Sequence, residues 1–225
     1  MIIGIIGGMG PLAAANFLKT IILNTEAKCD QDHIHTILDN NINIPDRTQA
    51  IITKRFEPMK EILRSARRLE KLEVDFIVIA CNTAHYYLHK IRDELDTPVL
   101  DLPLITVNYL TELNIKKIGL LETEGTNRAN IYQNLLNNRG IDYIKPDNHY
   151  QEMCMRGIYR IKENNLFEGE ELLRKVVNHL SQKGCKYILA GCSEIPLVLS
   201  TTDIYTIIDP GNALASHLQK LRCRV

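Results

Sequence analysis

The chain has 225 residues, 45% of them hydrophobic, and equal numbers of basic and acidic side chains, 27 of each, so its formal net charge is zero. A chain of this length buries a substantial core, as one large domain or as two half-sized lobes. Balanced charge removes the long-range attraction that holds nucleic acid or an anionic membrane and leaves a small-molecule or protein partner. No apolar run approaches the ~20 residues that span a bilayer. The N-terminal apolar stretch lacks a basic flank and is broken by Gly7-Gly8-Met9-Gly10-Pro11, so it reads as mature structure of a cytoplasmic protein.

Met1 to Ile6 reads as a short strand, followed by a glycine turn and a helix over Pro11 to Ala27, with Leu12, Phe17, Ile21 and Ile22 at helical spacing. Gly8-x-Gly10-x-x-Ala13 satisfies the alanine-ended dinucleotide fingerprint, and Asp39, closing a strand over His35 to Leu38, would then meet a ribose. The same glycines serve a turn whose backbone N–H groups face a small anion, or a tight turn with no ligand at all. Asn40 to Gln49 reads as a loop, which places Arg47 where loops carry function. Glu57 to Lys71 is an amphipathic helix whose Arg64, Arg67, Arg68 and Lys71 form a solvated face.

Val74 to Ala80 is a buried parallel strand that ends at Cys81 and turns into Asn82-Thr83-Ala84-His85, which opens a helix running to Leu95. Pro98 to Leu102 reads as a short strand ending at Asp101, and Pro103 to Leu113 as a helix. The grammar then repeats. Ile118-Gly119-Leu120-Leu121 matches Ile3-Gly4-Ile5-Ile6 at an offset of 115 residues, which also relates Gly10 to Gly125 and Phe17 to Tyr132. Thr126 to Arg139 repeats the first helix, Ile141 to Ile144 the second strand, and Phe167 to Lys183 the helix before the cysteine strand. Lys186 to Gly191 leads to Cys192-Ser193-Glu194-Ile195-Pro196, which lies 111 residues beyond the first cysteine turn. Tyr205 to Asp209 repeats the strand ending in aspartate.

This repetition predicts an α/β fold of two pseudo-symmetric, doubly wound parallel-sheet lobes with the active site in the cleft between them. The N-terminal lobe is expected over residues 1–103, completed by a C-terminal helix within 208–225 that crosses back to it, and the C-terminal lobe over 104–207. Both Cys81 and Cys192 then stand at carboxyl ends of strands, beside helix N-termini whose dipoles favour thiolate. The other cysteines, at 29, 154, 185 and 223, lack that setting and read as passive, and no zinc-ligand spacing occurs.

Gly7-Gly8-Met9-Gly10-Pro11-Leu12-Ala13, Ala80-Cys81-Asn82-Thr83-Ala84-His85 and Gly191-Cys192-Ser193-Glu194-Ile195-Pro196, in this order, resemble the aspartate racemase branch of the aspartate/glutamate racemase superfamily. The resemblance implies a cofactor-independent, homodimeric amino-acid racemase in which Cys81 and Cys192 are catalytic. It implies a substrate site drawn from Met9, Gly10, Arg47, Asn82, Thr83, Thr126, Lys162, Ser193 and Glu194, with no metal. Glutamate racemases of the superfamily typically carry an aspartate near the first glycine turn and a histidine two residues after the second cysteine. This chain has Gly7-Gly8-Met9 and Glu194 there, which favours aspartate as substrate. Ile44-Pro45-Asp46-Arg47-Thr48 resembles the branch's carboxylate-binding loop, and Gly157 to Lys162 its lysine segment. Independently of the resemblance, Lys162 lies 115 residues after Arg47, the shift that relates the glycine turns. Glu122 departs from the pattern, because a small residue is usual there and an extra acid near the cleft would repel a dicarboxylate.

The chemistry explains the pairing. Inverting a carbon that bears hydrogen requires a base on one face and an acid on the other, and two thiols tuned near operating pH serve both substrate enantiomers. Backbone N–H groups after each cysteine, with the Thr83 and Ser193 hydroxyls, would hold the α-carboxylate. Arg47 would take a second carboxylate through its planar fork, and Lys162 would add a point charge. His85 and Glu194 lie close enough in sequence to tune their thiols, and a surface or capping role suits His85 equally. Racemisation of glutamate or another amino acid, another superfamily isomerase or decarboxylase reaction, and a non-catalytic dinucleotide- or metabolite-binding protein stand as alternatives.

Overall fold

The computed structural model describes residues 1–55 and 57–222; Cys223 and the end of the expected C-terminal helix lie outside them. In chain order the elements are β1 (Ile2–Ile6), α1 (Pro11–Leu23), β2 (His35–Asp39), α2 (Arg47–Thr53), α3 (Pro58–Glu70), β3 (Phe76–Ile79), α4 (Leu88–Arg92) and α5 (Leu102–Glu112). There follow β4 (Lys117–Glu122), α6 (Glu124–Arg128), α7 (Gln133–Asn138), β5 (Asp142–Ile144), α8 (Asn148–Lys162), α9 (Leu166–Gln182), β6 (Tyr187–Gly191), β7 (Thr206–Ile208) and α10 (Pro210–Arg222).

Two separate parallel sheets form, in the orders β2-β1-β3 and β5-β4-β6-β7. The duplicated sequence produces the same order for three strands of each sheet, and β7 extends the second by a fourth. Each sheet is covered on both faces, as continuous apolar strands require. In the first lobe Ile3, Ile5, Val78 and Ala80 meet α1 and α10, while Ile6, Ile77 and Ile79 meet α3 and α4. In the second, Ile188 and Ala190 meet α8 and α9, while Ile118, Leu120 and Leu189 meet α7 and part of α5. Helix α5 contributes to both lobes: Leu102 and Ile105 belong to the first core, Val107 and Leu110 to the second. Helix α10 returns across the molecule and buries Ala213, Leu214 and Leu218 in the first core.

Several expected elements are shorter than predicted, for local reasons. The strand expected over Pro98 to Leu102 is a single parallel bridge between Ile77 and Val99. Pro98 has no N–H to give to a ladder, and Asp101 already caps α5 by accepting from the Leu104 N–H at 2.9 Å. The helix expected over Thr126 to Arg139 is split in two, with Asn130 between the parts in the left-handed region at φ 51°. The helix expected from Cys81 to Leu95 is a 3-10 turn over Thr83–Tyr87 followed by the short α4. Helix α1 ends at Leu23 and buries Ala13, Ala14, Phe17 and Ile21, while Leu12 and Ile22, expected on the same face, are exposed.

Candidate active site

Strands β3 and β6 deliver Cys81 and Cys192 to their carboxyl ends, and the chain turns immediately afterwards. Both cysteines, one from each lobe, line a single cleft, together with Met9, Arg47, Thr83 and Lys162. Six of the eleven predicted site residues therefore meet in one place. The other five are distributed around it. Gly10 and Glu194 join behind the cleft, where the Gly10 N–H donates to Glu194 Oε1 at 3.0 Å. Thr126 lies beneath Thr83: the hydroxyls of Thr83, Thr123 and Thr126 form a closed triangle with every edge 2.9 Å. Asn82 and Ser193 do not face the cleft and instead line a second small cavity with Asn16 and Asp209. Asn82 Oδ1 accepts from the Tyr132 hydroxyl at 2.5 Å, so its carbonyl is engaged in the core.

The environments of the two thiols differ. Cys192 Sγ donates to Glu194 Oε2 at 2.9 Å. Burial pushes this thiol well above its ordinary pKa, and the Glu194 charge pushes it further, against a smaller opposing pull from Lys162. This is the reverse of the shift expected from a helix dipole. The segment after Cys192 is a 3-10 turn of only three residues, Ile195–Leu197, whose dipole is slight, while the carboxylate is in direct contact. Cys81 instead interacts with the Arg47 guanidinium.

Arg47 was expected on an open loop. It is the first residue of α2, capped by Asp46 accepting from the Gln49 N–H at 2.8 Å, and is 6% exposed. Its terminal nitrogens donate to the Met9 carbonyl at 2.7 Å, to Pro45 at 2.9 Å and to Ile44 at 3.4 Å, and Nε has no hydrogen-bond partner. Burial works against its charge, but Cys81, Asp46 and Glu194 more than offset that, and the guanidinium's pKa is raised. The backbone thus fixes the cation in place and leaves Nε buried without a hydrogen-bond partner. Lys162, the last residue of α8, is largely covered, with Nζ 3.5 Å from Glu194 Oε1; burial lowers its pKa, but Glu194 reverses this and the net shift is upward.

Glu194 is the residue on which both lobes converge. Its Oε1 holds the Gly10 N–H and Lys162, and its Oε2 holds Cys192 and, at 3.4 Å, the Ser193 hydroxyl. The glycine turn's N–H therefore meets a carboxylate of the same chain, and Asp39, proposed for a ribose, pairs with Arg68 at 2.6 Å. Glu122 does not line the cleft. It is buried beside Gln133, whose Nε2 donates to its Oε1 at 2.6 Å, so it cannot repel a substrate by contact. His85 is buried as well, which removes the surface role considered for it.

Sequence reasoning missed Asp46, Thr123 and Tyr159, which also line the cleft. Each had a spacing signal: Asp46 adjoins Arg47, Thr123 precedes Thr126 by three, and Tyr159 precedes Lys162 by three on one helical face. The Tyr159 hydroxyl donates to Asp46 Oδ2 at 3.2 Å, joining the lobes at the cleft.

The profile of the Asp/Glu/Hydantoin racemase family matches residues 6–218. The chain is 30% identical over 202 residues to the broad specificity amino-acid racemase RacX of Bacillus subtilis (strain 168), covering 88% of this chain and 87% of that one. It is 33% identical over 165 residues to a glutamate racemase of Aquifex pyrophilus, covering 69% of this chain and 62% of the relative. Among solved structures, the Picrophilus torridus aspartate racemase superposes with a TM-score of 0.89 at 32% identity, over 98% of this chain and 93% of that one. With two thiols from duplicated lobes facing one cleft, the chain belongs to the Asp/Glu/Hydantoin racemase family and is an amino-acid racemase.

Proposed function

We propose that the chain interconverts L- and D-aspartate by two-base proton transfer between Cys81 and Cys192. The observation that carries this reading is that one thiol from each lobe lines the same cleft, beside a buried arginine and a lysine. In one direction the Cys81 sulfur, as thiolate beside Arg47, takes the α-proton, and the Cys192 thiol delivers its proton to the opposite face. The Cys192 sulfur is then a thiolate and takes the α-proton in the reverse step, in which the Cys81 thiol supplies the proton to the opposite face. Carbanion charge spreads onto the α-carboxylate, beside which Thr83 and Thr123 line the cleft in place of Ser193. The Arg47 guanidinium, part of the cleft lining, takes a substrate carboxylate, and Lys162 adds a second positive charge. The route draws on these side chains and on no cofactor, and the reading includes a cytoplasmic homodimer.

Aspartate is favoured by the two cations and by the likeness to the Picrophilus torridus aspartate racemase. One observation supports a broader substrate range: Lys162 is already engaged by Glu194, so a neutral side chain would forfeit little attraction there. The test is α-deuterium incorporation in D₂O across a panel of amino acids, read by NMR. Aspartate should exchange and racemise fastest, and Cys81→Ala and Cys192→Ala should each lose at least ~10³-fold in racemisation. Full turnover by either variant would remove the two-cysteine mechanism, while a panel led by neutral amino acids would replace aspartate as the substrate.

A further inference from the structure

His85 follows Cys81 by four residues and is buried, at 8% exposure, between the cysteine turn and the start of α5. Its Nδ1 lies 2.9 Å from the Cys81 carbonyl oxygen, and its Nε2 lies 3.3 Å from the Leu102 backbone nitrogen. A backbone N–H can only donate, so Nε2 must present its lone pair to Leu102. The ring proton then resides on Nδ1 and is donated to Cys81. A doubly protonated ring would turn Nε2–H against the Leu102 N–H. Burial also lowers the imidazole's pKa, against a smaller opposing pull from Asp101. The two backbone groups therefore select one neutral tautomer of a side chain that does not itself line the cleft.

The second lobe has no such bridge. Pro196 stands four residues after Cys192 and has no side-chain donor, and the Cys192 carbonyl accepts from the Ile195 N–H at 3.1 Å instead. There the thiol is held directly by Glu194. Among the described residues no carboxylate stands at that distance from Cys81, and its orientation toward Arg47 depends on how its own backbone is set. Helix α5, to which His85 ties that backbone, is the element shared by both cores.

We propose that His85 is a positioning residue for the first thiol: by donating from Nδ1 to the Cys81 carbonyl while accepting from the Leu102 N–H, it fixes the Cys81 turn to the helix common to both lobes. This rests on the racemase reading only for its kinetic consequence. The bond that matters is the one to Cys81, and Leu102 serves to keep the proton on Nδ1. An asparagine amide occupies roughly the place of Nδ1 and can donate to Cys81 without help, whereas a glutamine amide reaches the place of Nε2 and cannot.

The experiment compares wild type, His85→Ala, His85→Asn and His85→Gln. Deuterium wash-in with retention is followed from each enantiomer of the best-exchanging amino acid, and the enantiomer deprotonated by Cys81 is identified from the defect of Cys81→Ala. His85→Ala and His85→Gln should slow exchange from that enantiomer about tenfold, leave the other within about twofold, and lower kcat more than they raise KM. His85→Asn should recover most of the loss. In parallel, the two thiols of ligand-free protein are alkylated with iodoacetamide and quantified by peptide mass spectrometry. The Cys81:Cys192 labelling ratio should fall about threefold in His85→Ala and return in His85→Asn, because a displaced Cys81 leaves its place beside the Arg47 guanidinium. Equal slowing of both enantiomers, failure of asparagine to recover either readout, or an unchanged or raised labelling ratio would overturn the proposal. If wild type exchanges no amino acid, the two-cysteine reading falls, and the labelling ratio alone decides the role of His85.

Discussion

Glu194 holds a neutral thiol with one carboxylate oxygen and a lysine with the other, so removing its charge alters both partners. Burial alone keeps the Cys192 thiol high, and Glu194 adds to that by repelling a thiolate. Glu194→Gln should therefore lower the Cys192 pKa toward its ordinary value, read as thiolate ultraviolet absorbance during a pH titration of a Cys81→Ala background. It should also slow racemisation roughly 10- to 100-fold, because the Cys192 thiol and Lys162 both lose the carboxylate that holds them in place. A titration curve unmoved by the substitution would separate Glu194 from the thiol. Glu122 offers a residue-scale test away from the cleft. Burial raises its pKa to about 8, opposed by the hydrogen bond from Gln133, and its Oε2 has no partner. Between the ordinary carboxyl value, 4.5, and about 8 the folded chain thus binds a proton that the unfolded chain has released, so stability falls as pH rises across that window. Relative to wild type, Glu122→Gln should gain stability by up to a few kcal/mol between those limits and no more above them, measured by urea unfolding at a series of pH values. A pH-independent difference would contradict this.

At the scale of elements, the turn between β1 and α1 sets where Met9 and Gly10 stand. Gly8 adopts φ +86°, and a Cβ there would lie 2.1 Å from the Asn41 carbonyl oxygen. Only glycine satisfies both conditions. Gly8→Ala should cost at least ~2 kcal/mol in chemical unfolding, and a loss within error would show that the turn can rebuild. The neighbouring Gly10 N–H then reaches Glu194, 184 residues away, and this bond brings the glycine turn of one lobe to the cysteine turn of the other. The 3-10 turns after the cysteines belong to the same scale. The apolar run and the cap-type residues announce a strand that ends in a turn, but whether the turn continues as an α-helix depends on what it packs against. After Cys192 it stops at Leu197.

For the whole molecule, the lobes approach closely where Gly125 of α6 meets Thr48 of α2. A Cβ on Gly125 would lie 2.9 Å from Thr48 Cα, a backbone atom that cannot rotate aside, and 3.0 Å from Thr83 Cγ2. Gly125→Ala should act as a wedge between lobes, relieved by parting them rather than by unpacking either core. The expected result is a fall of about tenfold in kcat with a small change in Tm; a large loss of Tm with normal turnover in the folded fraction would place the strain inside a lobe. Helix α10 is the other connection at this scale. We propose that it completes the first lobe as a domain, since Ala213, Leu214 and Leu218 fill that lobe's core.

Much of this architecture was legible in the chain. Continuous apolar strands and an offset of 115 residues between matching segments imply two parallel-sheet lobes, because strand burial and strand-to-helix turns are specified by residues close together in sequence. The same local grammar put Cys81 and Cys192 at strand ends. What it could not settle was how side chains from different lobes meet. Arg47 is buried because its guanidinium reaches the Met9 carbonyl, Ser193 turns to a second cavity beside Asp209, and Cys192 answers to Glu194 rather than to a helix dipole. The repeated fold and the pair of thiols can be read directly from the chain, since they follow from short-range patterns of apolar and turn residues. The charge around each thiol is legible only once the chain is folded, because that field comes from groups brought together by the packing of one lobe on the other.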